Sequence, residues 1–459
     1  MNRDHGERSQ ISRRTIMRYG AGIAGGAILA QGAQRAAAQE DVTLRVIGFR
    51  VLPEEQGSPL DTAYQQFLED FQAAHPNVTV DALETPPEFD TQLLVDLAAG
   101  TAPDIWSQDA STLARLVDGG HVLDMRQAVE LVPELNLDRF FPTVLAIHEA
   151  PDGAIYDLPN DYTPMVIYYN PRAFEKAGVP VPTADWNWDD LLEKAKLLTI
   201  DSEGRNAADA EFDAENIVQY GFRVRQFVYE WIYHVWANGS DVISEDGTTV
   251  SGFLDSPETI ETIQFLRDLV LEHHVSPPPS TLDQLNQSVG FPDRFLRGEF
   301  AMFHSGHWEL VGLQNSAEYA PEAVAVVGQP ARKTNATVIY ESSFAIRADL
   351  EGDKLLAACQ FVNAATDTQY QDTKVITGIA IAGNQASAEA AVPQASAPEL
   401  EQVFIDETAN GRAPYGAKFA TWPAVELLID SMMERILAGG DVAEEVASAV
   451  EEINRELGA

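Results

Sequence analysis

The chain has 459 residues, 45% of them hydrophobic, a single cysteine and a formal net charge of −41. That length supports large cores and two or three domains, and one cysteine excludes an intrachain disulfide. So acidic a chain repels nucleic-acid phosphates and anionic lipid surfaces, which argues against both as partners.

Residues 1–38 read as a targeting leader, with six arginines against two acids. Ser12-Arg13-Arg14-Thr15-Ile16-Met17 resembles a twin-arginine export motif, and the apolar region Tyr19 to Ala30 is too short to span a bilayer. Ala36-Ala37-Ala38 supplies a cleavage site, predicting a mature start at Gln39. Gly20 to Gly25 matches a dinucleotide-binding glycine pattern only by accident, because no strand precedes it. No cysteine stands at the leader's end to carry a lipoprotein anchor, and no later stretch is long enough to span a membrane, so an exported, soluble chain is expected.

Val42 to Phe49 alternates as a strand. Leu60 to Ala74 follows as a helix with Tyr64, Phe67, Leu68 and Phe71 on one face, then Val78 to Val80 as a strand. Phe89 to Ala99 is a second helix closed by Gly100, and Ala102 to Trp106 opens a third strand that exits through Ser107, Gln108 and Asp109. Strands alternating with helices predict an α/β layer with a mostly parallel sheet, whose ligands bind beyond the strands' carboxyl ends. That places Trp106, Gln108 and Asp109 at the expected edge.

Residues 113–125 give a helix stopped by Gly119-Gly120. Leu158 to Asn170 begins with a Pro-Asn-Asp turn carrying Asn160, Asp161 and Tyr162, and runs on into an apolar strand from Met165 to Tyr169. Asn187 caps a helix bearing Trp188, Leu191 and Leu198, with Asp190 at its positive end. Residues 201–216 read as loop. Gln226 to Trp236 is rich in aromatics, Tyr229 and Trp231 among them. Ser256-Pro257-Glu258 starts another helix. Ala301 to Phe303 is a buried strand leading into His304, Ser305, Gly306, His307 and Trp308. A similar polar-aromatic stretch surrounds Ser342, and Asp353 opens a helix with Cys359 inward. Ala386 to Ala397 reads as a loose loop; two helices close the chain, the last opened by Asp441 and Glu444.

The order of these pieces resembles the extracellular solute-binding proteins of ABC importers, in the maltose-binding-protein-like group. The segments that carry the resemblance are FQAAHPNVTV (71–80), LLVDLAAGTAPDIW (93–106), LPNDYTPMVIYYN (158–170), GEFAMFHSGHW (298–308), SFAI (343–346), TGIA (377–380) and ATWPAVELLIDSMMERILAG (420–439). The resemblance implies a type II fold of two discontinuous α/β lobes closing on a ligand about a hinge. One lobe would hold 39–160 with 340–395, and the other 161–339 with 396–459. It implies a monomer without cofactor or catalysis that delivers a carbohydrate to permease subunits driven by ATPase subunits. Sugar rings offer C–H faces to aromatics and hydroxyls to polar side chains. By position in the matched segments, Trp308 and Trp422 resemble the stacking aromatics. Trp106, Gln108, Asp109, Asn160, Asp161, Tyr162, His307 and Ser342 resemble polar walls, with Gln226, Tyr229, Trp231 and Tyr415 as further candidates. Asp161→Ala is expected to weaken binding and leave the fold intact.

Three other chemistries compete. A glycoside hydrolase needs two carboxylates facing across a sugar bond, and Asp109 and Asp161 are candidates without a signature. His304, His307 and Glu309, or His273-His274, could ligate a metal, but Gly306 and the preceding strand argue against the helix such a motif needs. A cationic solute such as a polyamine would be recognised by carboxylates converging with aromatics, and linear sequence does not separate that box from a sugar platform.

Overall fold

The structure is a computed structural model that describes residues 40–458 apart from 52, 54–55, 87, 151–152, 289, 377–380 and 395–396. The leader, its cleavage site and the TGIA segment lie outside the described residues.

The chain opens with β1 (Val42–Ile47), α1 (Pro59–Ala74), β2 (Val78–Leu83), α2 (Phe89–Ala99) and β3 (Ile105–Asp109). Ser58 accepts from the Asp61 amide to cap α1, and Phe67 and Phe71 turn inward. Gly100 ends α2 in the left-handed region at φ 72°, which a side chain would strain. Next come β4 (Asp157–Pro164), β5 (Val166–Tyr169), α3 (Trp188–Leu198), α4 (Pro257–Leu271), β6 (Met302–Ser305), α5 (Trp308–Asn315), β7 (Ala325–Val327) and β8 (Thr337–Ile346). The main elements that follow, among several shorter ones left unlabelled, are α6 (Gly352–Ala365), α7 (Thr368–Ile376), β9 (Ile381–Ala382), α8 (Gln385–Ala391), α9 (Pro398–Glu407), β10 (Gly411–Arg412), α10 (Trp422–Leu437) and α11 (Val442–Leu457).

The larger sheet has the order β9-β4-β8-β3-β1-β2, with β10 pairing β8. β1 runs parallel to β2 and β3, whereas β8 is antiparallel to β3 and β4, and β9 to β4. The sheet is therefore mixed, not mostly parallel. The strand–helix–strand repeat that dictates parallel pairing covers only β1 to β3; β8 enters from the other lobe and runs back between β3 and β4. A second sheet, β6-β5-β7, is antiparallel throughout. Only Met165 separates β4 from β5, so one extended segment passes from the first sheet to the second, with Met165 N–H donating to the Val338 carbonyl at 2.9 Å.

Each lobe has its own core. In the first, Phe49 stacks on Phe67 and Phe344 and meets Phe361 edge-on, at centroid distances of 5.0, 5.2 and 5.0 Å. Cys359 is buried there, its thiol pushed up to about 12 by burial. In the second, Trp231, Tyr233, Trp422, Ile429 and Ile453 share one cluster.

Two local readings differ from the structure, and the aromatic stretch Gln226 to Trp236 gains a definite form. Pro159 to Asp161, read as a turn, belongs to strand β4, where pairing with Ser342 and Ser343 of β8 holds the backbone extended. Residues 386–397 begin as helix α8, capped by Asn384, which accepts from Ala386 N–H and Ser387 N–H. Alanine is the strongest helix former, and Pro393 falls beyond the helix end, where it does no harm. Gln226 to Trp236 is a 3-10 turn, Val228–Glu230, followed by the short helix Ile232–Ala237. The break at Trp231 lets its indole N–H donate back to the Gln226 carbonyl at 2.9 Å.

Candidate functional site

Pairing register builds one wall of the site. Ser342 on β8 lies opposite Asp109 on β3 and Asp161 on β4, so three polar residues form a row across adjacent strands. An irregularity between Ser342 and Ser343 re-aims the strand at this point. The opposite wall comes from the second lobe: Arg225, Phe227, Tyr229 and Glu230 before the helix Ile232–Ala237, Trp308 at the start of α5, and Glu426 on α10. Thr163, Met165, Tyr340 and Glu341 close the floor, where the chain crosses between sheets. The open cleft has a volume of about 570 Å³, within the range of small-molecule sites.

Trp308 is the most exposed aromatic lining this cleft, 49% exposed despite its size. It meets Tyr340 edge-on at 5.6 Å, and Tyr340 in turn meets Tyr229 edge-on at 5.5 Å. Phe227, 40% exposed, lies under the Arg225 guanidinium at 4.4 Å. Gly306 makes room for the indole, since a Cβ there would fall 2.3 Å from the Trp308 ring.

Of the residues singled out in the sequence, Asp109, Asp161, Tyr229, Trp308 and Ser342 line this cavity. The others do not. Trp106 is fully buried and donates its indole N–H to Gln108 Oε1 at 2.7 Å; Gln108 donates to Asp157 Oδ2 at 2.8 Å. Alternation along β3 sends this pair inward and leaves Asp109 exposed. Asn160 is buried, accepting from Lys374 Nζ at 2.6 Å. Tyr162 is core, its hydroxyl accepting from Thr408 at 3.3 Å. Trp231 and Trp422 are core, Trp422 packing 4.4 Å from Tyr415. Gln226 is half-buried and contributes its carbonyl to the fold. Tyr415 bonds to Asp241 and lines a separate cavity with Trp236 and Arg412. His307 is buried with Nε2 3.0 Å from both oxygens of Glu401. His304 is stacked on Tyr233 at 4.5 Å within the core, and Glu309 faces a neighbouring concavity with Arg223.

The sequence reading missed Arg225, Phe227, Glu230, Tyr340, Glu341 and Glu426. Two had a local signal. Tyr340 stands two residues before Ser342 on the same strand face, and Glu426 one helical turn after Trp422.

Beneath the floor lies a buried charged network. His148 Nδ1 is 2.6 Å from Asp157 Oδ1, and its Nε2 is 3.2 Å from Glu341 Oε2. Burial pushes the imidazole down, but the Glu341 and Asp157 carboxylates outweigh it and raise His148 to about 10. Burial raises Glu341 to about 8 against the pull of His148. Asp161 is tied to Lys374 Nζ at 2.7 Å and accepts from the Ser342 hydroxyl at 2.8 Å. Asp109 opens to the cleft yet is crowded by both walls, and that desolvation holds its carboxyl above the usual range, with Asp90 and Asp161 adding repulsion. Crowding raises Glu426 as well.

Two lobes, a chain crossing between their sheets and a polar-aromatic cleft at the crossing form a ligand-capturing architecture. The family model of bacterial extracellular solute-binding proteins matches residues 56–372, more than half of the chain. The chain belongs to that family. This solute-binding protein is similar to a curated arabinooligosaccharide-binding protein of Halalkalibacterium halodurans, 28% identical over 197 residues, 42% of this chain. That alignment spans only 39% of the relative's length. Among solved structures it resembles an ABC substrate-binding protein of Listeria monocytogenes in complex with cycloalternan, with TM-score 0.74 and 22% identity over 92% of this chain and all of the other. It also resembles the sugar-binding protein MalE of Xanthomonas citri, with TM-score 0.73 and 15% identity over 91% and 98% of the two chains. The fold is thus the type II periplasmic-binding fold. Among the described residues no helix is long and apolar enough to cross a membrane.

Proposed function

We propose that this solute-binding protein is the capture component of an ABC importer, closing its lobes on a sugar or oligosaccharide and delivering it to permease subunits. The observation that carries this reading is the Trp308 indole, half exposed on a cleft wall, backed by Tyr340 and Tyr229, and facing the polar row Asp109, Ser342 and Asp161. A large exposed aromatic is a platform for an apolar ring face, and the carboxylates opposite suit the hydroxyl rim. The curated relative that carries an arabinooligosaccharide-binding name and the two sugar-binding structures point the same way. In this reading the lobes are 39–160 with 340–395 and 161–339 with 396–459, the twin-arginine leader directs export, and the mature chain is a monomer without catalysis.

A hydrolase finds less support. Both oxygens of Asp161 are engaged by Lys374 and Ser342, which leaves it poorly placed as partner to Asp109 across a sugar bond. The test is a thermal-shift screen of mono- and oligosaccharides, polyols, amino acids and polyamines, since a ligand of the native state raises the midpoint. A shift with sugars and no product on prolonged incubation is expected. A shift with polyamines or amino acids alone, or steady product formation, would end the reading.

A further inference from the structure

We propose that the ligand is at least a disaccharide, its second ring held in a side pocket where Arg223 and Glu309 grip neighbouring hydroxyls; this rests on the sugar-binding reading above. A pocket of about 380 Å³ adjoins the main cleft and shares Met165, Arg225, Glu230 and Trp308 with it. The Trp308 indole therefore borders both spaces, and a ligand of two or more rings can pass along it from one to the other. Phe291 and Pro292 add apolar surface to the side pocket, which suits the C–H face of a sugar.

The polar groups of the pocket supply an independent sign. Arg223 lines it at 7% exposed, its guanidinium carbon 4.0 Å from the Phe291 ring centroid and 5.0 Å from that of Phe303. Its Nη2 donates to the His304 carbonyl at 3.2 Å and reaches Glu230 at 3.5 Å, but Nε and Nη1 have no hydrogen-bond partner among the described residues. A buried cation with donors unpaired is costly unless a ligand acceptor meets them. Glu309 lines the same pocket, accepts from the Ser305 hydroxyl at 3.3 Å and forms no ion pair with Arg223 among the described residues. A fixed donor and a separate acceptor are bridged by two adjacent hydroxyls, one accepting from Arg223 and the other donating to Glu309. Charge favours a neutral ring as well. Two arginines and two glutamates line the pocket and balance each other, whereas an anionic group would sit beside the Asp109, Asp161 and Glu426 carboxylates of the adjoining cleft.

The experiment is calorimetric titration of monosaccharides against their dimers: glucose with cellobiose and maltose, xylose with xylobiose, arabinose with α-1,5-arabinobiose, and galactose with β-1,4-galactobiose. At least one disaccharide is expected to bind roughly tenfold or more tighter than its monosaccharide. That ratio should fall to about threefold or less in Glu309→Ala. Arg223→Lys, which keeps the charge and removes the planar donors, should do the same, with the melting midpoint of each variant checking the fold. Monosaccharides bound as tightly as their disaccharides, or a disaccharide preference unchanged in Glu309→Ala, would overturn the proposal and leave the sugar reading standing. No saccharide bound at all would overturn both.

Discussion

Trp308 and Trp422 both come from segments that suggest a stacking aromatic, yet one is half exposed in the cleft and the other has no exposed surface. Trp308→Ala should weaken ligand binding by about 2 kcal/mol, roughly thirtyfold, with the melting midpoint nearly unchanged. Trp422→Ala should instead lower stability by about 3–5 kcal/mol in a denaturant titration. Gly306→Ala would push its Cβ into the Trp308 ring, so it should reproduce the binding loss without touching the ligand. Asp161 also changes meaning. Its expected variant, harmless to the fold, meets a buried Lys374 at 2.7 Å, and breaking such a pair costs about 3 kcal/mol or more. Asp161→Ala should therefore lower the melting midpoint together with affinity. Sequence reasoning reached Asp109 and Trp308 because a strand end and a helix start announce themselves locally, whereas Asp161 and Ser342 were reached through polar stretches that prove to be strand interiors. It could not separate Trp106 from Asp109, which lie on opposite faces of one strand, without knowing which face the neighbouring lobe covers.

At the scale of elements, the legible features are those governed by short-range chemistry. Asn187 forms a capping box on α3, accepting from Asp190 N–H while the Asp190 side chain accepts from Asn187 N–H. Asn187→Ala should cost about 1 kcal/mol in unfolding free energy. Asp441 likewise accepts from Glu444 N–H at the start of α11. The less legible elements depend on distant partners. β8 is antiparallel to both neighbours because of where the chain re-enters the first lobe, 173 residues after β4 ends and with a whole lobe between, and no local pattern states that. Helix α8 was hidden for the opposite reason: its alanines carry no periodic contrast to read.

At the scale of the molecule, β4 and β8 tie the cleft to the charged network beneath it. His148 holds a proton in the folded state at pH values where the unfolded chain has released it, because its folded value is about 10 against an ordinary 6.5. Its contribution to stability is thus complete below about pH 6.5 and is lost as pH rises toward 10. Unfolding free energy should fall along that alkaline limb, and His148→Gln should flatten it. Lobe closure should shrink the radius of gyration when ligand saturates, seen by small-angle scattering. The central claim, that the cleft captures a saccharide against the Trp308 platform, is tested most directly by calorimetric titration of the wild type and Trp308→Ala with an oligosaccharide panel. The expected result is micromolar or tighter binding by the wild type, lost by at least tenfold in the variant. Binding of equal strength in both, or no saccharide bound by either, would contradict it.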